Sequence, residues 1–261
     1  MNLTPGVVKL TAIRKEGVIG SISFKNTTQL HAGQVFKIGT FGIGETSAWI
    51  TDWEDDIATV SFLENNSVTH KIMLLPIGEC ITIRGPFGNG FSLGEKGYKE
   101  ILLVSKDDGI LSQKKLINDL IQEGLNVTLL HFTSSPKNLI MKSSLEKACN
   151  KEASPINGII VDMTKKGPQD LDSFIAKQFK KHNIANIDGV ALSGNEDFQK
   201  AVCKTLEKTN IKDKSIQILF NRNFTSGMGW SNQDLYGATN VWKDGPVFTL
   251  SEVRRFPGIF I

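Results

Sequence analysis

Residues 84–91 read Arg84-Gly85-Pro86-Phe87-Gly88-Asn89-Gly90-Phe91, a stretch with too much glycine and proline for a helix or a central strand. It separates two kinds of periodicity. On its N-terminal side, from residue 6 to about 92, short segments alternate in and out, as in Val8-Leu10-Ala12, Ile19-Ile22-Phe24 and Val35-Phe36-Ile38, with Gly, Asn and Thr between them. That is the pattern of half-buried β-strands. A short helix fits at Val68 to Leu75, opened by Asn66-Ser67 and ended by Pro76. On the C-terminal side, from Glu100, the apolar residues come in compact runs: Ile101-Leu102-Leu103-Val104, Val127-Thr128-Leu129-Leu130, Ile159-Ile160-Val161 and Val190-Ala191-Leu192. Each run leads into a helical stretch, as strands of a buried parallel sheet do.

The helical stretches carry their own signals. Leu116, Ile117, Leu120 and Ile121 fall on one face, as do Phe198, Val202 and Leu206. Asn195 or Ser193 can cap the last of these helices, and Ser135 before Pro136 another. A fifth strand, Ile216 to Phe220, closes the sheet, and an irregular tail follows. The predicted architecture is a β-barrel over 1–95, an α/β parallel-sheet domain over 96–220 and an irregular C-terminal tail over 221–261. The length of 261 residues agrees, being enough for about two ordinary domains.

Composition narrows the function classes. Thirty basic and 27 acidic residues leave a net charge of +3, too even for an electrostatic grip on nucleic acid or an anionic membrane. The apolar runs fall far short of the roughly 20 residues that span a bilayer. Polar and charged residues at Asn2, Thr4 and Lys9 interrupt any secretory leader, so a cytoplasmic protein is expected. Cys80, Cys149 and Cys203 are odd in number and far apart, which encodes neither a disulfide framework nor a thiolate metal site. His31, His70, His131 and His182 lack metal-ligand spacing and read as surface or capping residues.

The stretch 84–91, following the strand Cys80 to Ile83, resembles the barrel-to-cofactor-domain junction of the ferredoxin reductase superfamily, most closely that of dihydroorotate dehydrogenase electron-transfer subunits. Three further pieces agree in order. Ala32-Gly33-Gln34-Val35 resembles the family's Pro-Gly-Gln-Phe, Thr69 stands at the Thr of its flavin turn, and Lys243-Asp244-Gly245-Pro246-Val247-Phe248 resembles its closing Lys-Asp-Gly-Pro-Val-Phe. The resemblance implies FAD on the barrel, a pyridine nucleotide on the α/β domain, and a two-iron, two-sulfur cluster in the tail. It further implies that electrons pass to the flavin of a separate catalytic subunit.

This chain departs from that plan at most of its positions. The family's four cluster cysteines correspond to Ser226, Ser231, Asp234 and Trp242, and iron–sulfur clusters need thiolates, so no cluster is expected. What remains is a Gly-rich loop bearing Trp230 near Trp242, which either fills its own space or docks a partner. The family's glycine-rich nucleotide loop is Ser105-Lys106-Asp107-Asp108-Gly109 here, with side chains and two carboxylates where a pyrophosphate would approach; NAD binding is not expected. The same aspartates would also suit an ordinary acidic first turn of a helix. Ser193-Gly194-Asn195 replaces the family's later Cys-Gly-Pro.

The flavin site stays open at the level of sequence. The resemblance assigns Gly33, Gln34, Ser47, Trp49, Thr69, Arg84, Gly85 and Pro86 to it, with Glu45-Thr46-Ser47-Ala48-Trp49 matching the family's flavin strand and Trp49 in its serine position. Trp49 could stack on the ring or fill the vacated place, and the hydroxyls and amides near Thr69 could hold a phosphate or cap a helix. The expected function is an accessory subunit of a flavin-dependent dihydroorotate dehydrogenase in pyrimidine synthesis, with FAD at most. The alternatives are a stand-alone FAD-dependent NAD(P)H oxidoreductase and a non-redox binding protein that has kept the fold.

Overall fold

The structure is a computed structural model, and it describes residues 4–136, 139–149, 156–166, 170–184, 186–220, 235–236 and 239–256. The chain divides into two compact units. One holds Met1–Gly90, Leu111–Leu116 and Arg222–Pro246; the other holds Phe91–Ile110, Ile117–Asn221 and Val247–Ile261. Among the described residues no helix is long and apolar enough to cross a membrane.

The first unit is a closed six-stranded antiparallel barrel made of β1 (Gly6–Glu16), β2 (Ile19–Lys25), β3 (Val35–Thr40), β4 (Gly44–Glu54), β5 (Ile57–Leu63) and β6 (Cys80–Phe87), in the order β1-β2-β5-β4-β3-β6. Its interior follows from the alternation. Ile22, Phe24, Phe36, Ile38, Ala48, Ile50 and Val60 point inward and are buried together, and Phe24 meets Phe36 edge to face at 5.5 Å. Helix α1 (Ser67–Met73) packs against β3 and β4. Its entry is a capping box: the Asn66 side chain accepts from the Thr69 amide at 3.0 Å, and Thr69 Oγ1 accepts from the Asn66 amide at 3.1 Å.

The second unit carries β7 (Glu100–Lys106), Ile110 and the part of α2 (Ile110–Gln122) from Ile117 on, β8 (Asn126–Thr133), α3 (Lys142–Cys149), β9 (Ile156–Asp162), α4 (Leu171–Lys181), β10 (Gly189–Ser193), α5 (Glu196–Leu206) and β11 (Ile216–Leu219). Strands β11, β10, β7, β8 and β9 are parallel neighbours in that order, as the compact apolar runs predict. Phe198, Val202 and Leu206 of α5 are buried, and Phe132 meets Phe198 edge to face at 5.0 Å. After β12 (Leu235–Tyr236), β13 (Thr239–Asn240) and α6 (Val241–Asp244) comes a three-residue strand, β14 (Val247–Thr249). It joins the sheet antiparallel to β11, and α7 (Leu250–Val253) follows.

Local readings differ from the structure in four places: the fifth strand does not close the sheet, because β14 adds beyond it at that edge, and three capping or burial readings differ as follows. Asn195 does occupy the N-cap of α5, but its side chain makes no capping bond; Ser193 Oγ donates instead to the Gly109 carbonyl at 2.9 Å. The α-helix expected behind Ser135-Pro136 begins only at Lys142, and the Ser135 amide is taken by Thr133 Oγ1 at 3.2 Å. His131 is neither a surface nor a capping residue. Strand β8 runs on to Thr133 and places it in the sheet interior, 1% exposed, where Ser105 supplies its polar contact.

Candidate functional site

At the carboxyl end of the parallel sheet, the neighbouring strands β7 and β10 leave toward opposite sides, the place where open α/β sheets receive ligands. Here the turn after β7 and the turn after β10 meet at that edge. The expected acidic first turn is a 3-10 turn, Asp107–Gly109, and Asp107 adopts a left-handed backbone with φ of 49°. Its carboxylate turns away from α2 to the end of β8, accepting from the Ser134 amide at 2.7 Å and from Ser134 Oγ at 2.9 Å. Burial raises the Asp107 carboxyl, but the two Ser134 bonds and the Lys106 ammonium 3.1 Å away outweigh it and hold the group below its usual value. Asp108 goes the other way, raised first by burial and also by the charge of Asp107.

Gly109 closes the same edge. A Cβ there would stand 3.0 Å from the Ser193 carbonyl carbon and the Gly194 amide nitrogen, so the backbone after β7 and the backbone after β10 are in contact. Gln199 reinforces the second of them, donating from Nε2 to the Gly194 carbonyl at 3.0 Å and the Leu219 carbonyl at 2.7 Å. Beneath lies His131, its Nδ1 hydrogen-bonded to Ser105 Oγ at 2.8 Å and its Nε2 buried without a partner. Burial pushes the imidazole down to about 4, with Asp107 opposing.

The barrel brings three of the four resembling pieces together. Gln34 is buried; its Oε1 accepts from the His31 amide and its Nε2 donates to the Gly88 carbonyl, both at 2.8 Å. Gly33 forms the turn before it, closed by the Gln34 amide on the His31 carbonyl at 3.2 Å. Gly85 packs against the Val35 carbonyl, and Gly85-Pro86 and Gly245-Pro246 are both cis. The Asn89 amide donates to the Gly245 carbonyl at 2.8 Å, and a Cβ on Gly88, whose φ is +94°, would collide with Pro246 Cδ. Gly33, Gln34, Gly85 and Pro86 thus form one backbone seam with Gly245-Pro246. Spacing alone could not show that Gln34 holds residue 88 rather than facing outward.

The remaining assigned residues lie elsewhere on the barrel. Between the inward residues Phe36, Ile38, Ala48 and Ile50, the outer face carries Val35 opposite Trp49 and Lys37 opposite both Ser47 and Arg84. Arg84 grips Glu45 through both nitrogens of one edge, Nε to Oε2 at 2.9 Å and Nη2 to Oε1. Thr69 stands apart in the α1 cap, 1% exposed, linked to this strand by the contact of Asn66 Nδ2 with Thr46 Oγ1 at 3.4 Å. On this face the half-buried Trp49 indole and Ser47 hydroxyl would be the groups that meet the ring and ribityl part of a flavin, while Val35 beside them is buried. Arg84 is already bound to the Glu45 carboxylate. Ser226, Ser231, Asp234 and Trp230 lie outside the described residues, and Trp242 belongs to α6, its side chain undescribed. Cys203 is buried and its thiol pushed up to about 12 by that burial, so it is unreactive.

A closed antiparallel barrel followed by a parallel-sheet α/β unit is the fold of the ferredoxin–NADP reductases. A chain of the NADH-dependent reduced ferredoxin–NADP oxidoreductase superposes with a TM-score of 0.72 at 16% identity, over 98% of this chain and 93% of that one. No family model matches the sequence. Among curated proteins it is similar to the sulfhydrogenase 1 subunit gamma of Pyrococcus furiosus, 24% identical over 245 residues covering 87% of this chain and 82% of that one. It is also similar to a probable dihydroorotate dehydrogenase B (NAD(+)) electron transfer subunit of Thermoplasma volcanium, 24% identical over 191 residues covering 73% and 68%.

Proposed function

We propose that the chain is an accessory subunit of a flavin-dependent oxidoreductase complex, a diverged electron-transfer subunit that acts by contact with a catalytic partner. The partner is the flavin-dependent catalytic subunit of a dihydroorotate dehydrogenase in pyrimidine synthesis. The sheet edge supports the reading: Gly109 abuts Ser193 and Gly194, Asp107 is held by Ser134, and the carboxylates of Asp107 and Asp108 stand where the family's glycine-rich loop would meet a pyrophosphate. Both curated relatives are named as subunits, which supports a role inside a complex. Serine, serine, aspartate and tryptophan at the four cluster positions supply no thiolate, so this donor set does not fit an iron–sulfur cluster. A flavin would be held by Ser47, Trp49 and Arg84 on the outer barrel face, with the seam of Gly33, Gln34, Gly85 and Pro86 supporting the strands that carry them and Thr69 fixing the entry of α1. Bound there, it would supply one- and two-electron transfer.

The test is co-expression with the dihydroorotate dehydrogenase catalytic subunit of the same organism, followed by purification, a visible spectrum and an NADH titration. A stable complex with altered dehydrogenase activity and no NADH-dependent bleaching is expected. A solitary monomer without effect on that enzyme overturns the partner, and capture of a hydrogenase subunit instead reassigns the complex. A yellow protein bleached by NADH overturns the accessory role.

A further inference from the structure

The barrel bears a second polar feature, on the outer face of β1, β2, β4 and β5: a half-open groove of about 370 Å³ lined by Arg14, Ser21, Ser23, Asp52, Glu54 and Asp55, with Thr59 at its floor. That volume is at the low end of the roughly 300–1,000 Å³ of small-molecule sites. The register explains the composition. Arg14 faces Ser21 across β1 and β2, Ser23 faces Thr59 across β2 and β5, and Thr59 faces Asp52 across β5 and β4. The outward positions of four consecutive strands are therefore polar, a cation at one side and carboxylates at the other.

Neither sign of charge is spent. Among the described residues Arg14 makes no ion pair and no hydrogen bond, and the same holds for the carboxylates of Glu54 and Asp55. Asp52 uses Oδ1 for the adjacent Trp53 amide at 3.0 Å. Opposite charges that line one groove without meeting leave room for a molecule that bridges them. The hydroxyls between are linked along the sheet: Ser21 Oγ lies 2.8 Å from Ser61 Oγ, Ser61 Oγ 2.8 Å from Thr51 Oγ1, and Ser23 Oγ 2.8 Å from Thr59 Oγ1. A hydroxyl both donates and accepts, so Ser21 suits a polar group of a ligand lying between the charges.

We infer that this groove binds a small zwitterion of the free amino-acid class, its carboxylate on the Arg14 guanidinium and its ammonium on Asp52, Glu54 and Asp55, with the Ser21 hydroxyl bonding to a polar group between. A guanidinium and a carboxylate are the fork partners that such a ligand requires at its two ends. A simple cation would leave Arg14 unused and a simple anion would meet three carboxylates.

The experiment is amide NMR on the full chain titrated with L-serine, with ethanolamine and with glycolate, which carry both charges, only the ammonium and only the carboxylate. Other free amino acids are screened by thermal shift. Saturable shifts confined to residues 12–14, 21–23 and 52–59 are expected with the amino acid, with affinity at least tenfold weaker for either single-charge compound. Arg14→Gln and Asp52→Asn, both changes on the barrel exterior, should each lower the amino-acid affinity about tenfold while leaving the barrel amide spectrum intact. No saturable response to any amino acid overturns the inference, as does ethanolamine binding as tightly as serine or an Arg14→Gln protein that binds unchanged. None of these outcomes depends on a catalytic partner.

Discussion

The side-chain amide of Gln34 joins two stretches 54 residues apart, its Nε2 donating to the Gly88 carbonyl at 2.8 Å while its Oε1 takes the His31 amide. Gln34→Ala strands a buried donor and a buried acceptor together. Each costs about 1–3 kcal/mol, so a loss of roughly 2–6 kcal/mol is expected. A urea midpoint that barely moves, with unchanged slope, would show that water replaces the side chain at no cost.

Gly88 and Gly42 both have positive φ, but only Gly88 has Pro246 against the place of its missing Cβ; Gly42 has open space there. Gly42→Ala should therefore cost about 1 kcal/mol, the backbone term alone. Gly88→Ala adds a collision with a ring that cannot swing away, and about 2 kcal/mol more is expected. Equal losses in the two proteins, measured by thermal or urea unfolding, would contradict the close approach.

His131 gives the protein a pH response with a definite sign. Burial holds the folded imidazole at about 4, whereas the unfolded chain takes up its proton near 6.5. Between those values the unfolded state binds more protons, so stability is whole above pH 6.5 and falls as the pH drops toward 4, by about 3 kcal/mol at most. Since carboxylates titrate in part of this window, the comparison is with His131→Gln. The difference in urea stability between the two proteins should widen from pH 7 to pH 4.5 in the variant's favour, and a constant difference would refute it.

Arg84, one of the residues proposed to hold a flavin, is paired with Glu45 on the outer barrel face. Glu45→Gln removes a carboxylate that already holds the guanidinium, and FAD affinity should rise about fivefold, near 1 kcal/mol for a part-exposed pair. The reading is made by fluorescence quenching on adding FAD. Unchanged or weaker binding would place the phosphates elsewhere.

Much of the fold is written in the period of the sequence. Alternation around Ile22, Phe24, Phe36 and Ile38 announces the barrel, and the run Ile101 to Val104 announces a strand buried on both faces, because burial on one or two faces leaves a direct mark on residue order. Long-range polar pairs leave none. Nothing in the chain near Gln34 points to Gly88, and nothing near Asp107 points to Ser134, 27 residues on. Strand β14 escapes because three residues are too few to show a period. The three pieces agree with the family only in order along the chain, and their meeting in one seam left no mark there, because that seam is made largely of backbone with the Gln34 side chain across it.

That seam also orders events in time. The Asn89 amide bonds to the Gly245 carbonyl and Gly88 abuts Pro246, so the far side of the first unit is supplied by residues that a ribosome delivers more than 150 positions later. A nascent chain can roll up six strands early, yet it stays unfastened until residues 245 and 246 have been made. A truncation before residue 245 would be expected to release a cylinder that is open to proteases at the turn after β6.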